Sequence, residues 1–423
     1  MSDGPILASL LPDTAVLRDD DVAIGGVSLR ELAATFGTPL FVYDEATLRS
    51  RCREAASVFD DGVAFASKSF LCGAMARLAY EEGLCVDVAT GGELDIVLRA
   101  GVPASRIVLH GNNKSHDEIE RAVTLGLHRV VVDNFDEIER LRGLVGPESP
   151  LNCLIRVTPG VEAHTHEFVR TGQEDTKFGF SVTSGEARRA ISLLREVPGL
   201  SLLGVHAHIG SQIFDVRGFR ETMRILAQFT HEDDFEELCV GGGLGVAYVE
   251  GETAPSITQW GEAIRGGARE AGLSKAVRLV AEPGRAIVAQ AGVTLYRVGT
   301  VKAVAARTYM VVDGGMSDNP RPVLYGSGYE AFDLAAPTAP RPQRVRLVGK
   351  HCESGDVLID EAYLPATSVV GSVIATPVTG AYGYSMASNY NRVPRPPVVF
   401  VADGQAREVL RRETFDDLAR LEV

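Results

Sequence analysis

The sequence predicts an α/β protein, in which a (β/α)8 barrel of the TIM type is followed by a C-terminal antiparallel β domain that the N-terminal segment joins. Between residues 63 and 282, eight short apolar runs alternate with helical patterns, and the runs are hydrophobic on both faces, as are the strands of a buried parallel sheet. After about residue 287, the runs take a period of two and are separated by glycine and proline, which is typical of antiparallel strands.

The elements of the barrel follow from these patterns in chain order. A strand-like piece at 22–28 and a helical pattern at 29–36, ended by Gly37, come before it. Helical patterns such as 117–125 and 218–229 lie between its strands. The predicted barrel strands are 63–68, 84–89, 106–110, 129–133, 152–157, 202–209, 237–241 and 277–282.

The β domain is predicted from five shorter runs after the barrel. We place the barrel at 36–287 and the β domain at 1–35 and 288–423, with a proline-rich stretch at 337–342 as a loop within it. The predicted strands of this domain are 293–296, 309–312, 344–347, 372–376 and 398–401.

Composition excludes several classes of protein. The 423 residues are enough for two domains, and the net charge of −14 disfavours a nucleic-acid partner. The six cysteines include no Cys-x-x-Cys pair, which favours a reduced, cytoplasmic protein. We predict no signal peptide, because residues 1–20 carry aspartates and no basic region followed by a long apolar run, and no membrane span, because no apolar run reaches the roughly 18 residues that a span needs.

A lysine marks the end of the first predicted strand. Lys68 follows an apolar run, and a charged amine at the end of a core strand costs several kcal/mol without a partner. An imine with pyridoxal phosphate would remove that charge, whereas a lysine that reaches solvent or pairs with a carboxylate is the alternative. Active sites of barrels lie at the C-terminal ends of the strands, so Lys68 is a candidate catalytic residue.

Other strand ends carry residues that suit the same cofactor. Glu282 ends the eighth strand, where a carboxylate could keep a pyridine nitrogen protonated, although a surface pair with Arg285 is equally compatible. Gly241, Gly242 and Gly243 follow the seventh strand and offer backbone N–H groups to a phosphate, or form only a tight turn. These patterns indicate one phosphate rather than a dinucleotide.

Two histidines share one face of the sixth strand. His206 and His208 could bind a metal, but we favour His208 stacked on a cofactor ring and Ser211 on its phosphate, and we predict no metal. In the β domain, Cys352 stands beside two acids and suits proton donation better than nucleophilic attack, while Tyr382 could offer its hydroxyl to a phosphate.

Together these motifs resemble the bacterial diaminopimelate decarboxylases, pyridoxal phosphate enzymes of the alanine-racemase-like barrel group, from about residue 41 to residue 423. The segments that carry the resemblance are the strand ending at Lys68, 87–93, 110–115, 208–212, 241–243, 282–285, 313–316, 352–356 and 380–382.

The resemblance implies how the cofactor is held. Lys68 would carry it as an imine, His208 would stack on its ring and Glu282 would hold the pyridine nitrogen, with Asp87 also in contact. The implied phosphate-binding residues are Ser211, Gly241, Gly242, Gly243, the backbone at Gly284 and Arg285, and Tyr382.

The resemblance also implies the substrate contacts and a homodimer. Cys352 and Glu353 would complete the active site of the partner subunit, so that the β domain contributes to both the site and the dimer interface. The implied substrate-binding residues are Arg285, Arg321, Tyr325, Glu353 and Tyr382.

The implied reaction is decarboxylation of meso-2,6-diaminopimelate to L-lysine and CO2, the last step of lysine biosynthesis, with Cys352 or Lys68 as proton donor. Arg321 and Glu353 would recognise the second carboxylate and ammonium of this substrate. The alternatives are a decarboxylase of ornithine, arginine or a carboxylated polyamine, and a non-catalytic pyridoxal phosphate-binding regulator.

Overall fold

The computed structural model describes residues 8–160 and 176–423, which form two compact units. The barrel unit comprises Arg51–Gly245 and Ala254–Ala286, and the sheet unit comprises the remaining described residues up to Ser50, Val246–Thr253 and Ile287–Val423. The sequence also offers the loop at 161–177 as a candidate cover for the active site, and this loop lies outside the described residues except for its last two.

Eight parallel strands form the barrel, as predicted. Each pairs in parallel with its neighbours in sequence. The N–H of Ala64 donates to the carbonyl of Ala281 (3.0 Å) and that of Ala66 to Pro283 (3.1 Å), which joins the first strand to the end of the eighth. The strands are Ala64–Ala66, Cys85–Val88, Ile107–Leu109, Arg129–Val132, Leu151–Thr158, Leu200–His206, Glu237–Cys239 and Arg278–Val280.

Small and branched side chains fill the barrel interior. The buried cluster takes one residue from each of seven strands, namely Ala64, Cys85, Val108, Val131, Leu154, Cys239 and Val280. Burial raises the pKa of the Cys85 and Cys239 thiols, so both are neutral core residues at physiological pH. The interior is therefore packed, and chemistry is restricted to the strand ends.

The helices begin where polar side chains cap them. Thr90, Ser115, Asn134 and Ser256 each accept a backbone N–H from the first turn of the helix that follows. Each cap fixes the residue at which the chain leaves the preceding loop and begins its helix. The helices are Glu45–Val58, Gly73–Glu81, Gly91–Arg99, His116–Leu125, Phe135–Leu144, Glu186–Arg195, Arg217–Phe229 and Ile257–Glu270.

The predicted β domain is confirmed, but its sheet is mixed rather than antiparallel throughout. Leu40–Asp44 runs parallel to Val398–Ala402, and Arg307–Val312 runs parallel to Gln343–Val348. Alternating polarity specifies a strand and its buried face but not the direction of its partner, so the sequence pattern could not distinguish these pairs. The other strands of this sheet are Gly292–Val304, Phe332–Asp333, Val357–Leu364, Val373–Pro377 and Gln405–Leu410.

The N-terminal segment joins the sheet unit. Its predicted strand at 22–28 forms two short strands, Val22–Ile24 and Val27–Ser28, which pair with each other, and Val22–Ile24 also pairs with Val16–Leu17 in a separate small sheet. The predicted helix follows at Leu29–Phe36. In the described part of the chain, no helix is both long and apolar enough to cross a membrane.

Candidate active site

Four side chains from different barrel strands meet at the C-terminal ends of those strands. His110 Nε2 lies 2.8 Å from Glu282 Oε1, and His206 Nε2 lies 2.9 Å from Glu282 Oε2, so each imidazole donates to one carboxylate oxygen. Asp87 Oδ2 lies 3.9 Å from His110 Nε2. All four side chains are buried, and we call them the Glu282 cluster.

Burial and mutual charge set the protonation of the Glu282 cluster. Burial alone would raise the pKa of Glu282, but the two imidazoles hold it well below its usual value. Burial would lower the pKa of His110, yet the charges of Glu282 and Asp87 raise it, whereas burial lowers the pKa of His206 to about 4. Burial raises the pKa of Asp87 to about 6. At neutral pH, Glu282 is therefore an anion next to one neutral histidine.

His206 is the last residue of the sixth strand, whereas His208 lies two residues beyond its end, so the prediction that both histidines lie on this strand is wrong for His208. The two histidines have separate partners. His206 donates to Glu282, while His208 Nδ1 accepts the backbone N–H of Gly242 (3.2 Å). The ligand atoms of His110, His206 and Glu282 lie within 4.8 Å of one another, a spacing that a metal ion could also bridge. Two N–H···O hydrogen bonds account for the same contacts, and the absence of a metal stays a prediction.

The phosphate-binding candidates other than Tyr382 belong to the barrel unit. Arg285 Nη2 donates to Ser211 Oγ (2.9 Å). At Gly243, φ is +111° and a Cβ would stand 2.1 Å from the carbonyl oxygen of Gly210. Only glycine can occupy such a position, so this turn brings its backbone closer to neighbouring chain than any side chain would allow.

Lys68 does not lie on a strand, and that prediction is wrong. The strand ends at Ala66, and Lys68 is the exposed middle residue of a 3-10 turn, Ser67–Ser69, whose two serines are buried. The cost of burying a charged lysine therefore does not arise at this position. The positive charge of Lys68 opposes the rise in the pKa of Asp87, although burial, His110 and Glu282 have larger effects. This interaction places the amine of Lys68 near the Glu282 cluster.

The remaining candidates lie in the sheet unit. Cys352 and Glu353 are exposed on one turn, Tyr325 ends the short helix Arg321–Tyr325, and Tyr382 has a positive φ of 58°. These residues are thus on different segments of that unit.

Arg321 is buried between two tyrosines of the sheet unit. Its Nη1 donates to the hydroxyl of Tyr329 (2.5 Å), and its Cζ lies 4.1 Å from the centre of the Tyr248 ring. Only 4% of Arg321 is exposed, its Nε has no hydrogen-bond partner, and no described carboxylate forms an ion pair with it. A buried guanidinium without an anion is costly, so this site suits an anionic ligand.

Sequence reasoning did not assign four residues the supporting roles that they have in the structure. His110 and His206 were not expected to hold Glu282, and Tyr248 and Tyr329 were not expected to enclose Arg321. For the histidines, a usable signal exists, because both end strands of the same barrel. For the tyrosines no such signal exists, since they come from separate loops.

Replacing Glu282 with glutamine should lower the pKa of His110, because burial persists while the stronger of its two neighbouring anions is gone and only Asp87 remains. In the wild type, the raised pKa of His110 adds stability below pH 6.5, and that stability is lost as the pH rises through the raised value. NMR titration of labelled histidines in the cofactor-free protein measures the change. His128, whose pKa burial lowers to about 4, is the internal control. An unchanged His110 would mean that Glu282 does not set its charge.

Comparison with known proteins defines the class first. Residues 45–289 match the family model described as pyridoxal-dependent decarboxylase, pyridoxal binding domain. The lysine/ornithine decarboxylase from Vibrio vulnificus, complexed with putrescine, shares the fold with a TM-score of 0.76 at 22% identity, covering 89% of this chain and 97% of that chain. The chain thus belongs to the pyridoxal-dependent decarboxylases.

The particular family follows from relatives of nearly the same length. The diaminopimelate decarboxylase of Mycobacterium tuberculosis (strain ATCC 25618 / H37Rv) is 47% identical over 424 residues, covering 95% of each chain. That of Bacillus subtilis (strain 168) is 44% identical over 417 residues, covering 95% of this chain and 94% of the relative. The structure of diaminopimelate decarboxylase from M. jannaschii in co-complex with L-lysine has a TM-score of 0.90 at 32% identity, covering 97% of this chain and 98% of that chain. The chain belongs to the diaminopimelate decarboxylase family.

The residues of the barrel unit fit pyridoxal phosphate. Glu282 is a buried carboxylate that two imidazoles keep anionic, which is the partner that a protonated pyridine nitrogen requires. Ser211 and Arg285 lie side by side and offer a hydroxyl and a guanidinium to a phosphate, and Lys68 presents an exposed amine. The donor set therefore matches the ring, the phosphate and the aldehyde of this cofactor.

Proposed function

We propose that this chain removes one carboxylate of meso-2,6-diaminopimelate and releases L-lysine and CO2. The buried Arg321, which has no anion among the described residues, is the observation that carries this choice of substrate. Diaminopimelate has a second carboxylate that could pair with such a guanidinium, whereas ornithine and arginine have none. Substrate recognition at Arg321 would recover the cost of burying its charge.

When bound, pyridoxal phosphate supplies a sink for the electron pair that the departing carboxylate leaves behind. Lys68 would hold its aldehyde, and Glu282, kept anionic by His110 and His206, would hold the proton of the ring nitrogen. Burial keeps the pKa of His208 well below its usual value, so a neutral imidazole is available to stack on the ring. The residues that would bind the cofactor besides these are Asp87, Ser211, Gly241, Gly242, Gly243, Gly284, Arg285 and Tyr382.

The substrate contacts are proposed for residues of both units. Arg285 and Tyr325 would meet the reacting amino-acid end, while Arg321 and Glu353 would meet the distal carboxylate and ammonium. Tyr382 would contribute a hydroxyl to the same substrate. After CO2 leaves, Cys352 is our choice of proton donor, with Lys68 as the alternative.

The test is product analysis by mass spectrometry. The cofactor-loaded protein is incubated with meso-diaminopimelate, ornithine, arginine and a carboxylated polyamine in one mixture. We expect lysine to accumulate as diaminopimelate disappears, with the others untouched. Consumption of another amino acid would move the function to a related decarboxylase, and no turnover of any of them would favour a non-catalytic regulator.

We also propose a cytoplasmic homodimer in which each subunit lends residues to the active site of the other. Cys352 and Glu353 are exposed on one turn, which suits residues that act on a neighbouring subunit. The segments 1–35 and 288–423 would supply this turn and the dimer interface, and 36–287 would bind the cofactor. All six cysteines are free, as in a reducing compartment.

Mixing Lys68→Ala protein with Cys352→Ala protein should restore activity, because a hybrid dimer has one site with neither substitution. Random exchange makes half of the dimers hybrid, so recovery should approach about a quarter of the wild-type activity. Subunit exchange is verified by native mass spectrometry before the assay. No recovery after verified exchange would contradict the shared site.

A further inference from the structure

A buried carboxylate holds together the turn that carries Cys352 and Glu353. Asp356 Oδ1 accepts the backbone N–H of Met316 (2.6 Å), and Asp356 Oδ2 accepts the backbone N–H of His351 (2.9 Å). Asp356 Oδ2 also lies 2.8 Å from His351 Nδ1. Both oxygens are thus occupied by N–H donors, and the side chain is only 2% exposed.

The ring of His351 is fixed on two sides. Its side chain is completely buried, its Nδ1 contacts Asp356, and its face stacks on the ring of Tyr390 at 5.7 Å with an angle of 15° between the planes. The next residue, Cys352, donates its backbone N–H to Asn391 Oδ1 (3.0 Å). The exposed end of the turn therefore stands on a buried base that is tied to two other loops.

The surroundings of Asp356 leave space for a carboxylate and little else. A Cβ at Gly349 would stand 2.1 Å from Asp356 Oδ2, and a Cβ at Gly315 would stand 2.6 Å from both carboxylate oxygens. Two neighbouring loops thus place backbone directly against this side chain. Such a fit around one buried charge is expected where geometry must be exact, because its hydrogen bonds must all be satisfied.

We propose that Asp356 and His351 are positioning residues that fix Cys352 and Glu353 for the active site of the partner subunit. This inference rests on the proposed function and on its shared site. Asp356 and His351 do not touch the reacting atoms. They act by limiting the movement of the turn, and a misplacement of about 1 Å can cost about a hundredfold in rate.

Substitutions separate hydrogen bonding from size. In Asp356→Asn, the amide NH2 must face an N–H donor whichever way it turns, so we expect kcat/KM to fall about tenfold to a hundredfold. His351→Leu should have a similar effect. His351→Asn keeps an N–H near the place of Nδ1 and should recover part of the loss. Asp360→Asn, an exposed carboxylate on the strand that follows, is the matched control and should keep wild-type activity.

Hybrid dimers identify which subunit's site is affected. Mixing Asp356→Asn with Lys68→Ala protein should restore about a quarter of the wild-type activity, since the site that contains the intact Lys68 then receives an intact turn. Mixing Asp356→Asn with Cys352→Ala protein should restore nothing, because both defects affect the same turn. The mixtures are repeated with His351→Leu, so that the test does not depend on the folding of one variant.

The opposite pattern, with recovery against Cys352→Ala and none against Lys68→Ala, would overturn the proposal. Loss of the visible absorbance of bound cofactor in the Asp356→Asn protein would also overturn it, because the defect would then lie in the subunit's own barrel. The failures of the proposed function are separate: either the wild type forms no lysine, or the mixture of Lys68→Ala and Cys352→Ala stays inactive.

Discussion

Lys68→Ala protein is expected to form no detectable lysine and to lose the visible absorbance of the bound cofactor. The amine of Lys68 is the proposed point of attachment, and alanine offers no nucleophile to the aldehyde. We expect kcat to fall by about a thousandfold or more, which corresponds to about 4 kcal/mol in the activation barrier. Absorbance spectra and lysine quantification by mass spectrometry measure the two effects.

The position of Lys68 makes this substitution a clean test. Lys68 is exposed, while Ser67 and Ser69 on either side of it are buried and stay in place, so the melting temperature of the cofactor-free protein should hardly change. Lys68→Arg is the matched control, since it keeps the positive charge but cannot form an imine, and it should be as inactive as Lys68→Ala. Survival of the visible band in either variant would show that another group carries the cofactor.

The barrel could be predicted because its strands are apolar on both faces and the helix caps are local in sequence. The predicted strands agree with the observed ones to within three residues at each end. The end of the first strand could not be predicted, because Ala66 and Phe70 continue the apolar run while the backbone already turns at Ser67. Hydrophobicity does not indicate where a strand leaves its sheet.

The residues that line the candidate site could be predicted in part, but not which of them contact one another. The rule that barrel sites lie at strand ends placed Lys68, Glu282 and the glycines after the seventh strand at one edge. It did not specify that His110 and His206, from the third and sixth strands, would both reach Glu282 on the eighth. Such contacts depend on distances across the barrel, which periodicity along one strand does not contain.

Arg321→Met should remove recognition of the distal carboxylate. A buried guanidinium paired with a carboxylate contributes several kcal/mol to discrimination, so KM for meso-diaminopimelate should rise about a hundredfold. Tyr329→Phe is the graded control, because it keeps the ring and removes the hydroxyl that accepts a hydrogen bond from Arg321 Nη1, and its effect on KM should be about fivefold to tenfold. Steady-state kinetics with both variants measure these values.

The same substitution should stabilise the substrate-free protein. Arg321 is 4% exposed and has no anion among the described residues, so its charge weakens the folded state until substrate arrives. Methionine has a similar length, can pack against the rings of Tyr248 and Tyr329, and carries no charge, so the melting temperature should rise by a few degrees. If Arg321 is retained for substrate binding rather than for stability, its replacement should raise the stability of the protein and lower its affinity for the substrate. A lower melting temperature with an unchanged KM would instead identify Arg321 as a structural residue whose anion is not the substrate.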